Sequence, residues 1–166
     1  MNKKPVIIGI TGVKNSGKTT LMVRLIETLS TRGLKVASIK HDAHQFEADT
    51  PGTDSYRHKA AGAFASAIFD QEKLLLVKNG QYTVAALLPL FDGADIILIE
   101  GARHTPYPKI EVLRKGNSET PITDPGLLLA LMTDTGFQLE GVPSLGINDV
   151  DGAVALILRL MKGPSA

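Results

Sequence analysis

Cysteine is absent from the 166 residues of the chain, which excludes disulfide bonds, thiolate nucleophiles and zinc sites built on thiolates. Any metal ligand must therefore be an oxygen or nitrogen donor. The absence is also compatible with a reducing compartment.

Long apolar runs are missing as well. The N-terminal apolar run lasts only from Val6 to Ile10 and is interrupted by Gly9, so it is too short for the core of a signal peptide. No stretch approaches the roughly 20 apolar residues that cross a bilayer. The sequence therefore predicts no membrane association and residence in the cytoplasm.

The chain has almost no excess of charge of one sign. Lysine and arginine total 18 against 17 aspartates and glutamates, a formal net charge of +1. This balance gives no long-range electrostatic reason to expect a nucleic acid or an anionic membrane as partner. Any basic binding site must be local.

The order of apolar and polar segments predicts the fold class. The length suits a single domain over residues 1–166, and short apolar runs alternate with helical patterns, which favours parallel strands joined by right-handed crossovers. We expect an α/β, three-layer P-loop NTPase fold, with a mostly parallel sheet and helices on both faces. Strands are also predicted after Pro106, among them Lys109 to Leu113, which we expect to have one solvent-facing side. Instead of joining the parallel sheet, these strands would in the alternative form an antiparallel edge.

Helix signals are clear at four places. Leu21, Leu25 and Leu29 recur every four residues until Gly33 supplies a stop. Asp54 or Thr53 caps a short helix. Further helices are predicted after Thr83 and from about Asp151 to Lys162.

Residues 12–19 read GVKNSGKT and match the phosphate-loop pattern G-x-x-x-x-G-K-[ST] without a mismatch, between a predicted strand and a predicted helix. The glycines let successive N–H groups point at phosphate oxygens, and the helix N-terminus adds partial positive charge. Lys18 is expected to reach the β- and γ-phosphates, and the Thr19 hydroxyl to coordinate magnesium. The predicted phosphate-binding residues are Gly12, Val13, Lys14, Asn15, Ser16, Gly17, Lys18, Thr19 and Thr20.

Magnesium also requires a carboxylate, bound directly or through water. Glu100 ends the most strand-like run of the chain and is followed by Gly101, which permits close approach of backbone or ligand. We expect Glu100 to hold the metal or to orient a nucleophilic water. A solvated acid at a strand end is the alternative.

The segment 39–63 reads IKHDAHQFEADTPGTDSYRHKAAGA and carries a distinctive pattern: lysine-histidine, a second histidine, an acid, Pro-Gly, Asp-Ser and Ala-Gly-Ala. Together with the phosphate loop, Ile99-Glu100-Gly101 and residues 108–112 (PKIEV), it resembles the molybdopterin-guanine dinucleotide biosynthesis adapter family, MobB.

The resemblance implies a dimeric P-loop GTPase-like protein that binds GTP with Mg²⁺ and hydrolyses it slowly. Such a protein assists the guanylyltransferase of molybdenum cofactor biosynthesis, with molybdopterin as a possible ligand. Lys18, Glu100 and Asp42 would be catalytic, and Thr19, Asp42 and Glu100 would hold the metal. The neighbouring phosphate surface would be lined by His41, His44, Asp54, Ser55 and Arg57.

Two features depart from this pattern. Ala102-Arg103 follows Glu100-Gly101 where family members more often have an aromatic residue and lysine. No Asn-Lys-x-Asp run, the usual guanine-binding motif, is present, so the expected preference for GTP over ATP depends on the resemblance alone.

Other functions remain open. His41, Asp42 and His44, with His104, are compatible with a nickel or zinc site, as in a metallochaperone GTPase. A P-loop small-molecule kinase and a nucleotide-binding module without hydrolysis are the further alternatives. Arg57 and Lys59 are equally compatible with a charged helix face.

Overall fold

The computed structural model describes residues 4–41, 46 and 49–163. Within it the chain forms two compact units: Met1–His41 together with Leu87–Ala166, and Asp42–Ala86. The first unit contains the phosphate loop and Glu100.

The secondary structure alternates strands and helices along the chain. The strands are β1 (Val6–Thr11), β2 (Val36–Lys40), β3 (Ala65–Phe69), β4 (Leu74–Lys78), β5 (Ile96–Glu100), β6 (Lys109–Leu113), β7 (Leu128–Thr133) and β8 (Ser144–Gly146). The helices are α1 (Lys18–Thr31), α2 (Asp54–Ala60), α3 (Val84–Leu87) and α4 (Val150–Lys162), and Leu88–Phe91 and Pro125–Leu127 form 3-10 turns.

Six strands of the first unit form a sheet in the order β2-β5-β1-β6-β7-β8, and all its pairs are parallel. Ile10 pairs with Glu100 on one side of β1, and Lys40 pairs with Glu100 on the far side of β5. The carboxyl ends of β1, β2 and β5 therefore meet at one edge of the sheet. This parallel sheet with its helices confirms the predicted α/β class, with a mostly parallel sheet.

The core lies between the sheet and the pair α1 and α4. The packed side chains come from the two helices and the apolar strands: Ile8, Ile10, Leu21, Met22, Leu25, Leu29, Ile96, Leu98, Val154 and Ile157. Ile97 and Ile99, which alternate with the core residues of β5, are also fully buried. Burial on both faces explains why β5 is apolar throughout its middle.

Antiparallel pairing of whole strands occurs, but among the described residues after Pro106 it is limited to an isolated bridge between Leu139 and Val142. It joins β3 and β4 in the second unit, with Phe69 opposite Leu74, whereas β6, β7 and β8 are parallel neighbours. The expectation of a solvent-facing side on Lys109–Leu113 is also wrong, because every residue of β6 is buried.

The two charged side chains of β6 are buried because each has internal partners. Lys109 donates from Nζ to the carbonyl oxygens of Thr105 and Tyr107, and its stem crosses Gly9, where an added Cβ would lie 3.0 Å from Lys109 Cγ. Burial lowers the pKa of Lys109, and Asp124 partly opposes that shift.

Glu111 is fully buried and binds a loop backbone. Its two carboxylate oxygens accept from the amides of Ile122, at 2.7 Å, and Thr123, at 2.9 Å. The Thr123 hydroxyl in turn lies 2.9 Å from the Thr11 hydroxyl at the end of β1. Glu111 thus fixes the β6–β7 connection beside the start of the phosphate loop.

Of the two predicted caps of α2, Thr53 is the one used, because its hydroxyl accepts from the Tyr56 amide at 3.3 Å while Asp54 is the first helical residue. One other helix differs from expectation. The helix after Thr83 is α-helical only to Leu87 and continues as a 3-10 turn, since Pro89 lacks an amide hydrogen.

No helix in residues 4–41, 46 and 49–163 is long and apolar enough to cross a membrane.

Replacing Glu111 with glutamine should reduce stability by about 1–3 kcal/mol, because the amide group can accept only one of the two N–H bonds and leaves a buried donor unpaired. Urea denaturation measures the change. Glu119→Gln, at an exposed position, is the matched control. Equal stability of the two variants would contradict the assigned role.

Candidate functional site: the phosphate loop and the Glu100 strand end

Three residues of the phosphate loop have backbone conformations that curl the chain. Gly12, Asn15 and Gly17 have φ values of 137°, 62° and 104°. A Cβ added to Gly12 would lie 2.7 Å from both Ser16 Oγ and the Val112 carbonyl oxygen. Only glycine therefore fits at this point, where the loop leaves β1 and passes over β6.

The N-terminus of α1 points its free amides into this loop. Gly17 is the N-cap, and no side chain of the described chain caps the helix. The first helical hydrogen bond is donated by the Leu21 amide to Gly17 O, at 3.0 Å. The amides of the first turn thus have no partner within the helix and, with the partial positive charge of the helix end, suit an anion.

Lys18 folds back over the loop that precedes it. Its Nζ donates to the Val13 carbonyl oxygen at 2.7 Å. Partial burial lowers the pKa of Lys18; the nearby Glu100 carboxylate raises it and the Lys40 ammonium lowers it further. An anion bound at this point would offset the burial of the positive charge.

Thr19 and Glu100 come together although they are 81 positions apart. The Thr19 hydroxyl donates to Glu100 Oε1 at 2.8 Å, and Glu100 is 8% exposed. A hydroxyl and a carboxylate side by side are the oxygen donors that Mg²⁺ takes when phosphates and waters complete its octahedron. This pair fits a magnesium ion next to bound phosphates.

A neighbouring loop supports the phosphate loop from the side of β6. Asn117 Nδ2 donates to the Lys14 carbonyl oxygen at 3.1 Å. The Ser16 side chain is fully buried and its Oγ has no hydrogen-bond partner among the described residues. The contact with Asn117 thus fixes the backbone of the phosphate loop at Lys14.

A small cleft of about 40 Å³, open to solvent, adjoins the phosphate loop on the side of β6 and β8. Arg24 closes one side, donating to Asn148 Oδ1 at 3.1 Å and to Asn148 O at 3.3 Å, and Arg114 lies across the cleft. The lining residues are Ser16, Gly17, Thr20, Leu21, Arg24, Val112, Arg114, Ile147 and Asn148. The cleft therefore continues the phosphate loop away from Glu100.

The structure brings together the loop residues Gly12–Thr20 and Glu100. It also places His41 directly after β2, where the His41 amide donates to the Glu100 carbonyl at 3.0 Å. A Cβ at Gly101 would lie 3.0 Å from the His41 carbonyl oxygen, so the expected close approach at Gly101 is confirmed.

Asp42 and His44, predicted as metal or phosphate ligands, lie outside the described residues. In the part of the chain that is described, no three histidine, aspartate or glutamate side chains are grouped as a metal site. The magnesium role of Asp42 and the transition-metal alternative stay predictions.

Asp54, Ser55 and Arg57 belong to the second unit, where each has a structural partner. The Ser55 hydroxyl donates to Asp49 Oδ1 at 3.1 Å. Arg57 pairs with Asp54 at 3.6 Å on an exposed face of α2. The expectation that they contact nucleotide or molybdopterin stays a prediction.

Sequence reasoning missed two cations of the first unit. Lys40 Nζ lies 3.9 Å from Glu100 Oε1, and Arg114 lines the cleft. Both follow the apolar part of a parallel strand, so their position at the carboxyl edge of the sheet was a usable signal. No sequence signal indicated that Lys109 is buried, because its alternation with apolar residues is also typical of a strand with one solvent-facing side.

Known proteins are similar to this chain. The family model for molybdopterin guanine dinucleotide synthesis protein B (MobB) matches residues 7–134, which include both the phosphate loop and Glu100. A probable molybdopterin-guanine dinucleotide biosynthesis adapter protein of Bacillus subtilis is 31% identical over 166 residues, covering 96% of this chain and 95% of the relative.

Two further relatives extend the comparison. The molybdopterin-guanine dinucleotide biosynthesis adapter protein of Haemophilus influenzae is 36% identical over 145 residues, covering 84% of this chain and 81% of that protein. The crystal structure of Bacillus subtilis MobB matches with a TM-score of 0.79 at 32% identity, over 95% of this chain and 99% of the other.

Gly12→Ala should distort the phosphate loop, because its Cβ meets a backbone oxygen that cannot move without shifting β6. We expect a loss of about 3 kcal/mol or more in the free energy of unfolding, measured by denaturant titration.

Gly33→Ala is the matched control, since Gly33 also has a positive φ, of 81°, but nothing within 4 Å of the added Cβ. It should lose only about 1–2 kcal/mol, the conformational cost alone. If Gly12→Ala is no worse than this control, the steric account of the loop fails.

Proposed function

This chain belongs to the MobB family of molybdopterin guanine dinucleotide synthesis proteins, and we propose that it is a GTP-binding adapter in molybdenum cofactor biosynthesis. In this proposal GTP and Mg²⁺ bind at the phosphate loop, and the nucleotide state governs a partnership with the guanylyltransferase. The observation that carries the proposal is the contact between the Thr19 hydroxyl and the Glu100 carboxylate beside Lys18.

The phosphates would occupy the curve of the loop, where the first-turn amides of α1 and Lys18 face them. Lys18 would exchange the Val13 carbonyl oxygen for β- and γ-phosphate oxygens. Thr19 would coordinate the metal through its hydroxyl oxygen, and Glu100 would bind it directly or through a water. When bound, Mg²⁺ would neutralise part of the negative charge of the phosphates.

Hydrolysis would be slow. The oxygen of a water would attack the γ-phosphorus while the bond from that phosphorus to the β–γ bridging oxygen breaks. GDP leaves with the electron pair of that bond, and the water's oxygen and protons leave with the γ-phosphoryl group as inorganic phosphate. Glu100, with Asp42, would orient the water. The sequence offers no identifiable arginine finger, and such an arginine contributes about a thousandfold or more to turnover in related enzymes.

The nucleoside would extend into the cleft beyond Thr20. Arg114 can stack its planar guanidinium on a base or bind the α-phosphate, and the exposed Asn148 side chain offers an amide N–H. The proposed preference for guanine depends on the family resemblance, since the relatives are adapters of molybdopterin-guanine dinucleotide biosynthesis.

A homodimer is supported by the surface of the second unit. The paired strands β3 and β4 expose Ile68, Phe69, Leu74 and Leu76, with Phe69 78% and Leu74 68% accessible. A two-stranded sheet is marginal in water without a further strand or a packed face, and contiguous exposed apolar residues mark interaction sites. We propose that a second copy of the chain covers this hairpin.

Calorimetric titration tests the nucleotide site. With Mg²⁺ present, GTP should bind more tightly than ATP, and Lys18→Ala should weaken GTP binding about a hundredfold or more, because a charge-assisted phosphate contact is lost. Glu100→Gln should reduce the gain in affinity that Mg²⁺ provides.

Lys35→Ala is the control for these titrations, since Lys35 is exposed at the opposite end of β2. Binding of ATP with GTP ignored would overturn the guanine assignment. Unchanged GTP binding in Lys18→Ala would overturn the site itself.

The double substitution Phe69→Glu with Leu74→Glu should convert a dimer to a monomer, because it places two charges within the apolar interface. Light scattering after size exclusion measures the mass. Val23→Glu, at an exposed apolar residue of α1 that is 47% accessible, should remain dimeric. A monomeric wild type, or a dimer in the double variant, would contradict the proposal.

A further inference from the structure

The geometry assigns a role to Lys40: we infer that its ammonium group binds the terminal phosphoryl group and so distinguishes a nucleoside triphosphate from a diphosphate. The inference rests on the proposed nucleotide site. It adds a residue outside the phosphate-loop motif that sets the selectivity of that site for the number of phosphates.

Strand register places Lys40 at the metal end of the site. Lys40 ends β2, Glu100 ends β5, and the two are paired residues of neighbouring parallel strands. Their side chains therefore leave the sheet next to each other at the carboxyl edge, where ligands bind in open parallel sheets.

Lys40 and Thr19 approach the same carboxylate oxygen. Glu100 Oε1 accepts from the Thr19 hydroxyl at 2.8 Å and lies 3.9 Å from Lys40 Nζ. If the metal binds between Thr19 and Glu100, it takes this oxygen, and the Lys40 ammonium must find another anion. The nearest anion in the proposed complex is the phosphoryl group that the same metal contacts.

The ion pair between Lys40 and Glu100 does not give Lys40 a role in stabilising the fold. The Lys40 side chain is 62% exposed, and an exposed ion pair at this separation contributes little to stability. Such a side chain is instead free to reach a ligand, because exchanging the carboxylate for a phosphate loses few contacts.

A second lysine, Lys18, lies close enough to interact electrostatically with the Lys40 ammonium. Lys40 lowers the pKa of Lys18, in addition to the larger effect of burial. Two cations that disfavour each other without a ligand both gain from an anion placed between them, and each added phosphate charge increases that gain.

The order of the strands separates Lys40 from the nucleoside end. Lys40 lies on the β2 side of β1, whereas the cleft with Arg114 lies on the β6 side. A nucleotide with its nucleoside in the cleft and its phosphates in the loop thus points its last phosphate toward Lys40. A diphosphate held in the same way ends one phosphate short.

Calorimetric titration of the full-length chain with GTP and with GDP, both with Mg²⁺, tests this role. Lys40→Gln should raise the Kd for GTP about tenfold, as expected for loss of one charge-assisted hydrogen bond, and change the Kd for GDP less than about twofold. Lys40→Arg should restore most of the preference for GTP.

Lys35→Gln is the control, because it removes an exposed lysine that directly precedes the opposite end of β2 and should leave both affinities unchanged. Thermal unfolding of each variant verifies that the fold is retained. Equal weakening of GTP and GDP in Lys40→Gln would overturn the inference, as would unchanged binding of both.

The failure of the underlying site would look different. If the wild-type chain bound neither nucleotide, the proposed function would fail and the role of Lys40 with it. If the wild type bound GTP and Lys18→Ala did not, but Lys40→Gln kept the full preference for GTP over GDP, only the role of Lys40 would be lost.

Discussion

The hydrogen bond from Thr19 to Glu100 is the contact on which the site depends. It joins the first turn of α1 to the end of β5, and it exists only because β1 and β5 run parallel in a register that pairs Ile10 with Glu100. A shift of that register would move the carboxylate away from the loop. The buried isoleucines of both strands oppose such a shift, since each would lose its place in the core.

The strand on the other side of β1 anchors two connections through buried charges. Lys109 holds the backbone of the segment that follows Glu100, and Glu111 holds the segment that leads to β7. Both side chains are isolated from solvent, so their hydrogen bonds must be satisfied inside the protein. The connection held by Glu111 contacts the end of β1 through Thr123 and Thr11, so the start of the phosphate loop lies beside a fixed backbone.

Much of the fold follows from local sequence. The leucine period predicts α1, the apolar run predicts the buried strand β5, and the glycines predict the turn of the phosphate loop. The strand-loop-helix context then locates Lys18 and Thr19. Glu100 is predictable because it ends the most apolar strand.

Other features depend on contacts that a sequence does not display. Lys109 and Glu111 alternate with apolar residues, a pattern that also describes a strand with one wet face, and only their tertiary partners make them buried. Lys40 and Arg114 can be recognised in the sequence as cations at strand ends, but their places beside Glu100 and beside the cleft follow only from the order of the strands. The hairpin β3–β4 reads as two strands, but its exposure is a property of the folded unit.

A crystal structure of the chain with a non-hydrolysable GTP analogue and Mg²⁺ tests the central claim most directly. We expect the terminal phosphates inside the loop from Gly12 to Thr19. The metal should lie about 2.1 Å from Thr19 Oγ1 and next to Glu100, in contact or through one water. An empty loop, or a triphosphate bound away from Glu100, would contradict the account.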